Sequence, residues 1–419
     1  VVALSPEESA IAAGRDGAGA AMAMRVVAEA ARLLGAPRLI PVVSAHIDGA
    51  LYHGDSGTIF AEALQAGGAK VRVPATLNVG ALDLACGTRT RLSPHARDMA
   101  KRLMLAHEAM GCTPTWTCAP YQAGHRPATG SDVAWGESNA VAFCNSVLGA
   151  RTNRYGDFLD MAAAVSGRVP DHGLHRVENR RATIVVDATA LPDRLKAAEV
   201  FWPVLGSWYG RAVGDSIGVI DGLAGFASED RLKAFGAAAA STGAVGLYHA
   251  AGVTPEAPDL ATACQQQTPD HVITVTLADL AATRETLSTA PADHPGIDAV
   301  AVGSPHLSGD ELLQLARLLD GRRAKVPVFA CTGRHALAAA TAAGWSHARF
   351  AEAGITVVTD TCVVVTPILA GLSGTLMTNS GKFAHYAPGT TNHATHYGSL
   401  ADCVESAVAG RLVRDLSVW

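Results

Sequence analysis

Short β-branched runs alternate along this chain with longer Ala- and Leu-rich stretches whose apolar positions recur at helical spacing. Residues 39–44, 70–73, 183–187, 216–220, 244–249, 299–303, 326–330 and 355–359 read as buried strands, and Gly57 to Gln65 reads as a helix. Such alternation predicts an α/β fold, with parallel sheets flanked by helices. The locally polar and basic stretch Arg176 to Arg181 places a boundary near residue 180, between an N-terminal α/β lobe, 1–180, and a C-terminal α/β lobe, 181–419. In open α/β sheets ligands sit beyond the carboxyl ends of strands, so the chemistry is sought in the loops that follow them.

Composition narrows the partners. At about 100–200 residues per domain, 419 residues make at least two lobes, long enough to bury a core without disulfide staples. With 49% apolar and 17% charged residues the chain is not disordered. A net charge of −5, no Lys/Arg block and 5% aromatics leave no footprint for nucleic acid. Glu7 and Glu8 stand where a secretory signal would need a basic start and an apolar run. The apolar stretch Ile355 to Leu372 is broken by Asp360 and Pro367, so no membrane span is expected and the expected location is cytoplasmic.

Eight cysteines, at 86, 112, 118, 144, 264, 331, 362 and 403, form no CxxC pair and no secreted disulfide framework. In a reducing cytosol most are expected to be buried thiols. Cys118, Cys331 and Cys362 fall just after predicted strands and are the better ligand candidates. Other motifs fail on context. Gly14-Arg-Asp-Gly17-Ala-Gly19 has no preceding strand and no third Gly, and Ser380-Gly381-Lys382 lacks the rest of a phosphate loop. The histidines include no HExxH, and His393 and His396 read as loop residues. Gly214-Asp-Ser216-Ile-Gly218 precedes its strand, whereas a nucleophile elbow follows one.

Five segments concentrate reactive and polar residues. Ser44-Ala-His46-Ile-Asp48-Gly49 runs on to Ser56, Gly57 and Thr58 before a helix, a natural anion site, with N-capping by Ser56 or Thr58 as the competing reading. Thr113-Pro-Thr-Trp116-Thr-Cys118-Ala-Pro120-Tyr121 fixes a thiol between prolines that stop any helix. Trp135-Gly-Glu137-Ser138-Asn139 leads through Cys144-Asn145-Ser146 to Arg151-Thr152-Asn-Arg154. This polar run is costly to bury without partners, and its guanidinium groups suit a carboxylate. Asp360-Thr-Cys362 sets a thiol at the mouth of an apolar strand, and Asn379-Ser380-Gly-Lys382-Phe-Ala-His-Tyr carries one Lys between small residues.

Together, His46-Ile-Asp-Gly, Trp116-Thr-Cys-Ala-Pro-Tyr, Gly136-Glu-Ser-Asn-Ala-Val, Asn145-Ser-Val-Leu-Gly-Ala-Arg-Thr-Asn-Arg, Asp360-Thr-Cys and Ser380-Gly-Lys-Phe-Ala-His-Tyr resemble the large, catalytic subunit of the aconitase X family, from about Leu4 to Ala409. The resemblance implies a multi-lobed aconitase-like architecture and a hydro-lyase. The family dehydrates a small hydroxy acid, either cis-3-hydroxy-L-proline, giving Δ1-pyrroline-2-carboxylate, or mevalonate 5-phosphate. A non-catalytic α/β scaffold, with every cysteine a core residue, is the alternative from another class.

The resemblance also implies an iron–sulfur cluster, such as a [2Fe–2S] centre, or a mononuclear iron. An iron with an open position would bind the leaving hydroxyl as a Lewis acid. Carried over onto this sequence, Cys118 and Cys362 are iron ligands. The third is Cys144 or Cys331, with Cys144 favoured for its place beside Ser138 and Asn139. Arg151, Arg154 or Lys382 would neutralise the substrate carboxylate, Ser56, Gly57, Thr58, Ser138, Asn139 and Thr152 would orient it, and His46 and Lys382 are the candidate catalytic groups. For His46 a satisfied core histidine is the competing reading. Ser304, in Gly303-Ser-Pro-His306, stands where the archaeal-type motif carries a cysteine and so argues mildly against the phosphorylated substrate. Enzymes of this kind use a small swivelling domain that supplies the base. No segment of this chain is left for it, so a small swivelling subunit of roughly 100–150 residues is expected as a partner.

Overall fold

A computed structural model describes residues 2–291 and 294–419. They form two compact units. The first comprises the chain up to Leu82 together with Leu92–Arg181, and the second comprises Asp83–Arg91 together with Ala182–Trp419.

In the first unit, the strands Ala75–Leu77, Ala45–Ile47 and Ala134–Trp135 form a parallel sheet in that spatial order. The run 39–44, expected as one strand, divides. Leu39–Pro41 pairs antiparallel with Arg168–Pro170, and the buried parallel strand begins only at Ala45. Residues 70–73, also expected as a strand, run alongside other backbone instead: Val71 N–H donates to Met110 O and Arg72 N–H to Ala164 O. The strand starts after Pro74, at Ala75. The expected helix 57–65 is Asp55–Ala66, entered through Gly54 at φ 143°, a backbone setting that side chains with a Cβ disfavour. Ala18–Leu33 buries Ala20, Met24, Val27 and Ala31 along one stripe and packs on Leu159–Ser166, the geometry an i, i+4, i+7 pattern predicts.

The second unit holds two parallel sheets. One orders His249–Ala250, Gly218–Asp221, Ile184–Asp187 and His271–Thr274; the other orders Ile355–Val358, Val328–Thr332, Ala299–Leu307, Thr375–Thr378 and Ala394–Tyr397. Period-two alternation sorts the central strand. Val300 and Val302 pack with Leu312, Leu315, Leu319 and Phe350, while Ala299 and Ala301 face a second cluster with Cys331, Val358, Cys362 and Phe383. Each large aliphatic side chain so buried contributes about 1.5–3 kcal/mol. Five of the six strands read from sequence in this unit recur with shifted ends; of 244–249 only His249 is in a strand, His249–Ala250, because Ala244 in left-handed backbone still caps the preceding helix. Cys331 lies within its strand rather than after it, and His396 lies in Ala394–Tyr397 rather than in a loop. The strand of Gly218 begins at the motif's last Gly, so Ser216 is no nucleophile elbow. Among the described residues no helix is long and apolar enough to cross a membrane.

Candidate active site

The central strand of the first unit carries His46, which is fully buried. Its Nδ1 lies 2.9 Å from Thr76 Oγ1 on the neighbouring strand, and the same oxygen lies 2.6 Å from His125 Nδ1. Trp135, on the third strand, stands 5.5 Å from one imidazole and 5.1 Å from the other. Burial and the nearby His125 hold His46 well below the usual imidazole range, and burial takes His125 down to about 4. Both rings are therefore neutral. The buried Nε2 atoms of His46 and His125 and the indole nitrogens of Trp116 and Trp135 have no hydrogen-bond partner among the described residues.

Beyond His46 the chain turns at Asp48-Gly49, and a buried carboxylate holds the turn. Asp160 Oδ2 accepts Asp48 N–H at 2.6 Å and Gly49 N–H at 3.0 Å, and Oδ1 accepts Met161 N–H at 2.6 Å. Among the described residues no guanidinium or ammonium group bonds to it, and burial, outweighing the N–H donors, pushes Asp160 up to about 8. Gly136 makes this approach feasible, because a Cβ there would sit 2.8 Å from Asp48 Cβ and 2.9 Å from Asp160 Oδ2. A cavity of about 90 Å³ opens beside the turn, lined by Gly49, Ser56, Gly57, Phe60, His107 and Asp160 among others. Two sequence candidates, Ser56 and Gly57, thus border a cavity. Thr58 does not: its buried hydroxyl donates to Met99 O at 3.1 Å.

The polar run after Trp135 is largely occupied in holding backbone. Asn139 Nδ2 donates to Cys118 O at 3.2 Å and to Tyr121 Oη at 3.3 Å, so Asn139 positions the Cys118 loop. Ser138 Oγ donates to Glu137, whose carboxylate accepts Ala140 N–H. Asn145 and Thr152 exchange amide and backbone bonds of 2.9 and 3.0 Å, and the buried Arg180 donates to Asn145 and Ala150. Arg151 is half-buried, with a buried Nε that no described residue accepts from, and Arg154 is exposed. Cys144 is fully buried among Tyr121, Val133, Trp135, Phe143 and Leu148, and burial pushes its thiol up.

In the second unit Cys362 follows the strand Ile355–Val358, two residues after Asp360. Asp360 is fully buried and takes a two-pronged bond from Arg334, at 2.6 and 2.8 Å, while its Oδ2 accepts the N–H groups of Leu84 and Ala85. A second carboxylate, Asp83, accepts from Thr359, Cys86 and Thr88. Lys382 is half-buried in the first turn of Gly381–Thr390, whose N-cap Ser380 accepts Phe383 N–H and bonds to Ser304 O. Next to this motif, Asn379 lines a cavity of about 370 Å³ with Glu199, Asp230, Arg231, Glu311 and Arg317.

The sequence reading passed over Thr76, His125, Asp160, Asp83 and Arg334. Only the Gly after Asp48 and the Asp before Thr361 hinted at special backbone there. Each of the others gains its role from a strand neighbour or a distant segment, which spacing does not report.

Family models described as the aconitase X first, second and third domains match residues 1–178, 182–285 and 297–409. A cis-3-hydroxy-L-proline dehydratase of Pseudomonas aeruginosa is 41% identical over 98% of this chain and 71% of its own length, and one of Hypocrea jecorina is 39% identical over 98% and 69%. The phosphomevalonate dehydratase large subunit of Methanothermobacter thermautotrophicus is 38% identical over 87% and 89%. The crystal structure of Thermococcus kodakaraensis aconitase X, holo-form, superposes with a TM-score of 0.85 at 33% identity, over 97% of this chain and 100% of that one. The chain belongs to the aconitase X family. Membership suggests an iron-containing cofactor. The donors available for it are thiols of the right softness, yet among the described residues no three His, Cys, Asp or Glu side chains form a group that could hold a metal. The residues thus match an iron centre in donor type and not as an assembled cage, and no reaction step is drawn through it.

Proposed function

We propose that this protein is a hydro-lyase that dehydrates cis-3-hydroxy-L-proline to Δ1-pyrroline-2-carboxylate. The observation that carries this reading is identity of 41% and 39% to two enzymes of that name across 98% of the chain. In the reaction a base removes the proton beside the carboxylate, the 3-hydroxyl leaves, and the enamine tautomerises to the cyclic imine. Arg151, whose buried Nε no described residue accepts from, is the first-unit candidate to hold the carboxylate, and Lys382 is the second-unit candidate. Ser56 and Gly57 offer a polar, open wall to the cavity beside the His46 strand.

The second reading, phosphomevalonate dehydration, is favoured by coverage: this chain spans 89–99% of the archaeal large subunits but 69–71% of the hydroxyproline enzymes. The uncovered share of the latter is of the size expected for a swivelling domain, proposed here to act in the same chain or as a small subunit. Assaying both substrates, with and without such a domain co-expressed, decides between the readings. Turnover of phosphomevalonate alone would overturn the first.

The cofactor is proposed to be a [2Fe–2S] or mononuclear iron bound through Cys118 and Cys362. For the third thiol, the packing of Cys331 in the same cluster as Cys362 supports Cys331, whereas the apolar enclosure of Cys144 supports a core role. Iron content after anaerobic reconstitution tests this. Cys118→Ala, Cys362→Ala and Cys331→Ala are expected to lose iron, and Cys144→Ala to keep it. A cytoplasmic setting is proposed; the cysteine spacing, with no secreted disulfide framework, supports it.

A further inference from the structure

We propose that His46, Thr76 and His125 form a proton relay that runs from the deep interior of the first unit toward its surface, and that, on the reading of the protein as a dehydratase, it moves protons for that reaction. Thr76 Oγ1 lies within hydrogen-bond distance of Nδ1 of both imidazoles, and a hydroxyl, with one hydrogen and two lone pairs, links them as a relay by donating to one ring and accepting from the other. In that arrangement the two rings are opposite tautomers, one Nδ1–H and one Nε2–H. His46 is wholly buried, whereas His125 is half-buried on a loop whose neighbours Gly124 and Arg126 are exposed, so the chain of bonds leads from the deep interior toward the surface. Its two ends, the Nε2 atoms, are buried and have no partner among the described residues. A purely structural histidine pair would satisfy those ends with protein groups, as His175 does, bonding Tyr155 Oη and Asp132 through its two nitrogens. Burial favours neutral rings at both positions, which suits transfer by tautomer exchange instead of a stored imidazolium.

The outward step comes first and balances. The proton removed from carbon enters at His46 Nε2, and His46 passes its Nδ1 proton to Thr76 Oγ1. Thr76 passes its own proton to His125 Nδ1, and His125 Nε2 releases its proton. Both rings are now inverted. The inward step restores them: a proton enters at His125 Nε2, and His46 Nε2 gives one to the leaving hydroxide. The sum is the loss of one water from the substrate, with the relay returned to its starting state.

The test uses the full chain with ¹⁵N-labelled histidine. In the wild type, NMR is expected to find opposite tautomers at His46 and His125. Exchange of the His46 ring proton with solvent deuterium is expected to be at least about tenfold faster in the wild type and in Thr76→Ser than in Thr76→Val, which keeps the shape and removes the hydroxyl. With substrate and the swivelling domain co-expressed, kcat of Thr76→Val is expected to fall about tenfold or more at unchanged KM, and Thr76→Ser to stay within about twofold. Identical tautomers in the wild type, or wild-type exchange in Thr76→Val, would overturn the relay. Wild-type kcat in Thr76→Val would overturn its part in catalysis. If neither hydroxy acid is dehydrated, the functional reading fails while the tautomer and exchange results still judge the relay.

Discussion

Two loops, one in each unit, present a thiol in the same local order: Trp116-Thr117-Cys118 in the first and Asp360-Thr361-Cys362 in the second. In both, the residue two before the cysteine is fully buried and adopts left-handed backbone, φ 45° at Trp116 and φ 62° at Asp360. Side chains other than Gly rarely take that conformation, and a Trp there is a marked outlier. The loops differ in what enforces it. Asp360 is clamped by charge, through the Arg334 fork and two backbone N–H groups. Trp116 is held by packing, with the loop beyond it tied through its Cys118 carbonyl to the neutral amide of Asn139. The same backbone turn is thus reached by electrostatics in one unit and by apolar burial in the other.

Removing the clamp from either loop gives the largest effect expected. Asp360→Ala strands the N–H groups of Leu84 and Ala85 and half of the Arg334 pairing, and should cost about 3–5 kcal/mol. Trp116→Ala should cost a similar amount, about 3–5 kcal/mol, through the cavity it leaves. Urea unfolding in an Arg334→Ala background separates the two mechanisms: the further cost of Asp360→Ala should shrink there, and that of Trp116→Ala should stay unchanged. Equal costs in both backgrounds would mean that the loops do not differ as described.

The contrast sharpens with a third buried aspartate. Asp160 also accepts two successive backbone N–H groups on one oxygen, but among the described residues no guanidinium bonds to it, and burial raises it to about 8. Between the unfolded value near 4 and the folded one, the folded state binds more protons, so stability falls as pH rises across that window. Asp160→Asn removes this dependence. The amide turned toward Met161 N–H adds a cost, but one constant in pH. Between pH 5 and 8 the wild type should lose stability relative to the variant, by about 3–4 kcal/mol, measured by denaturation at each pH. A flat difference would show that Asp160 ionises normally.

A smaller effect isolates the backbone. At position 360 or 116, Gly has no Cβ to clash in left-handed backbone, so Asp360→Gly should be about 1 kcal/mol more stable than Asp360→Ala, and Trp116→Gly than Trp116→Ala. Thermal melts of the four variants check this. Gly no better than Ala would mean that the loop relaxes once the side chain is gone.

Much of this was legible in the sequence and some was not, for a consistent reason. The alternation of Val300 and Val302 with Ala299 and Ala301 announces a strand buried on two faces, and the parallel sheets follow from it. The split of residues 39–44 and the late start at Ala75 depend on Pro41 and Pro74, whose effect on pairing depends on which neighbour each strand finds. Cys118 and Cys362 stand out as ligand candidates because residue type and loop position carry that signal. Ser138, Asn139 and Thr152 were equally visible as polar residues. Their work of holding Glu137, Cys118 O, Asn145 and Trp135 depends on partners that sequence spacing does not show. His125 and Thr76 were missed because their contact lies across 49 residues and between two elements, neither of which has a motif of its own.

The least disruptive test concerns the indole of Trp116. Its Nε1 is buried and finds no acceptor among the described residues, and a buried donor left unmade costs about 1–3 kcal/mol. Trp116→Phe removes the donor along with one ring's worth of contact, two terms of opposite sign. The unfolding free energy of the isolated chain should therefore move by less than about 1 kcal/mol. The comparison with Asp360 makes this informative, since Asp360→Asn keeps the shape but loses the charged fork and should cost more. If Trp116→Phe instead destabilises the iron-reconstituted protein by more than it does the unloaded chain, the indole N–H has gained an acceptor on loading. The first loop would then be held by a polar contact as well as by packing.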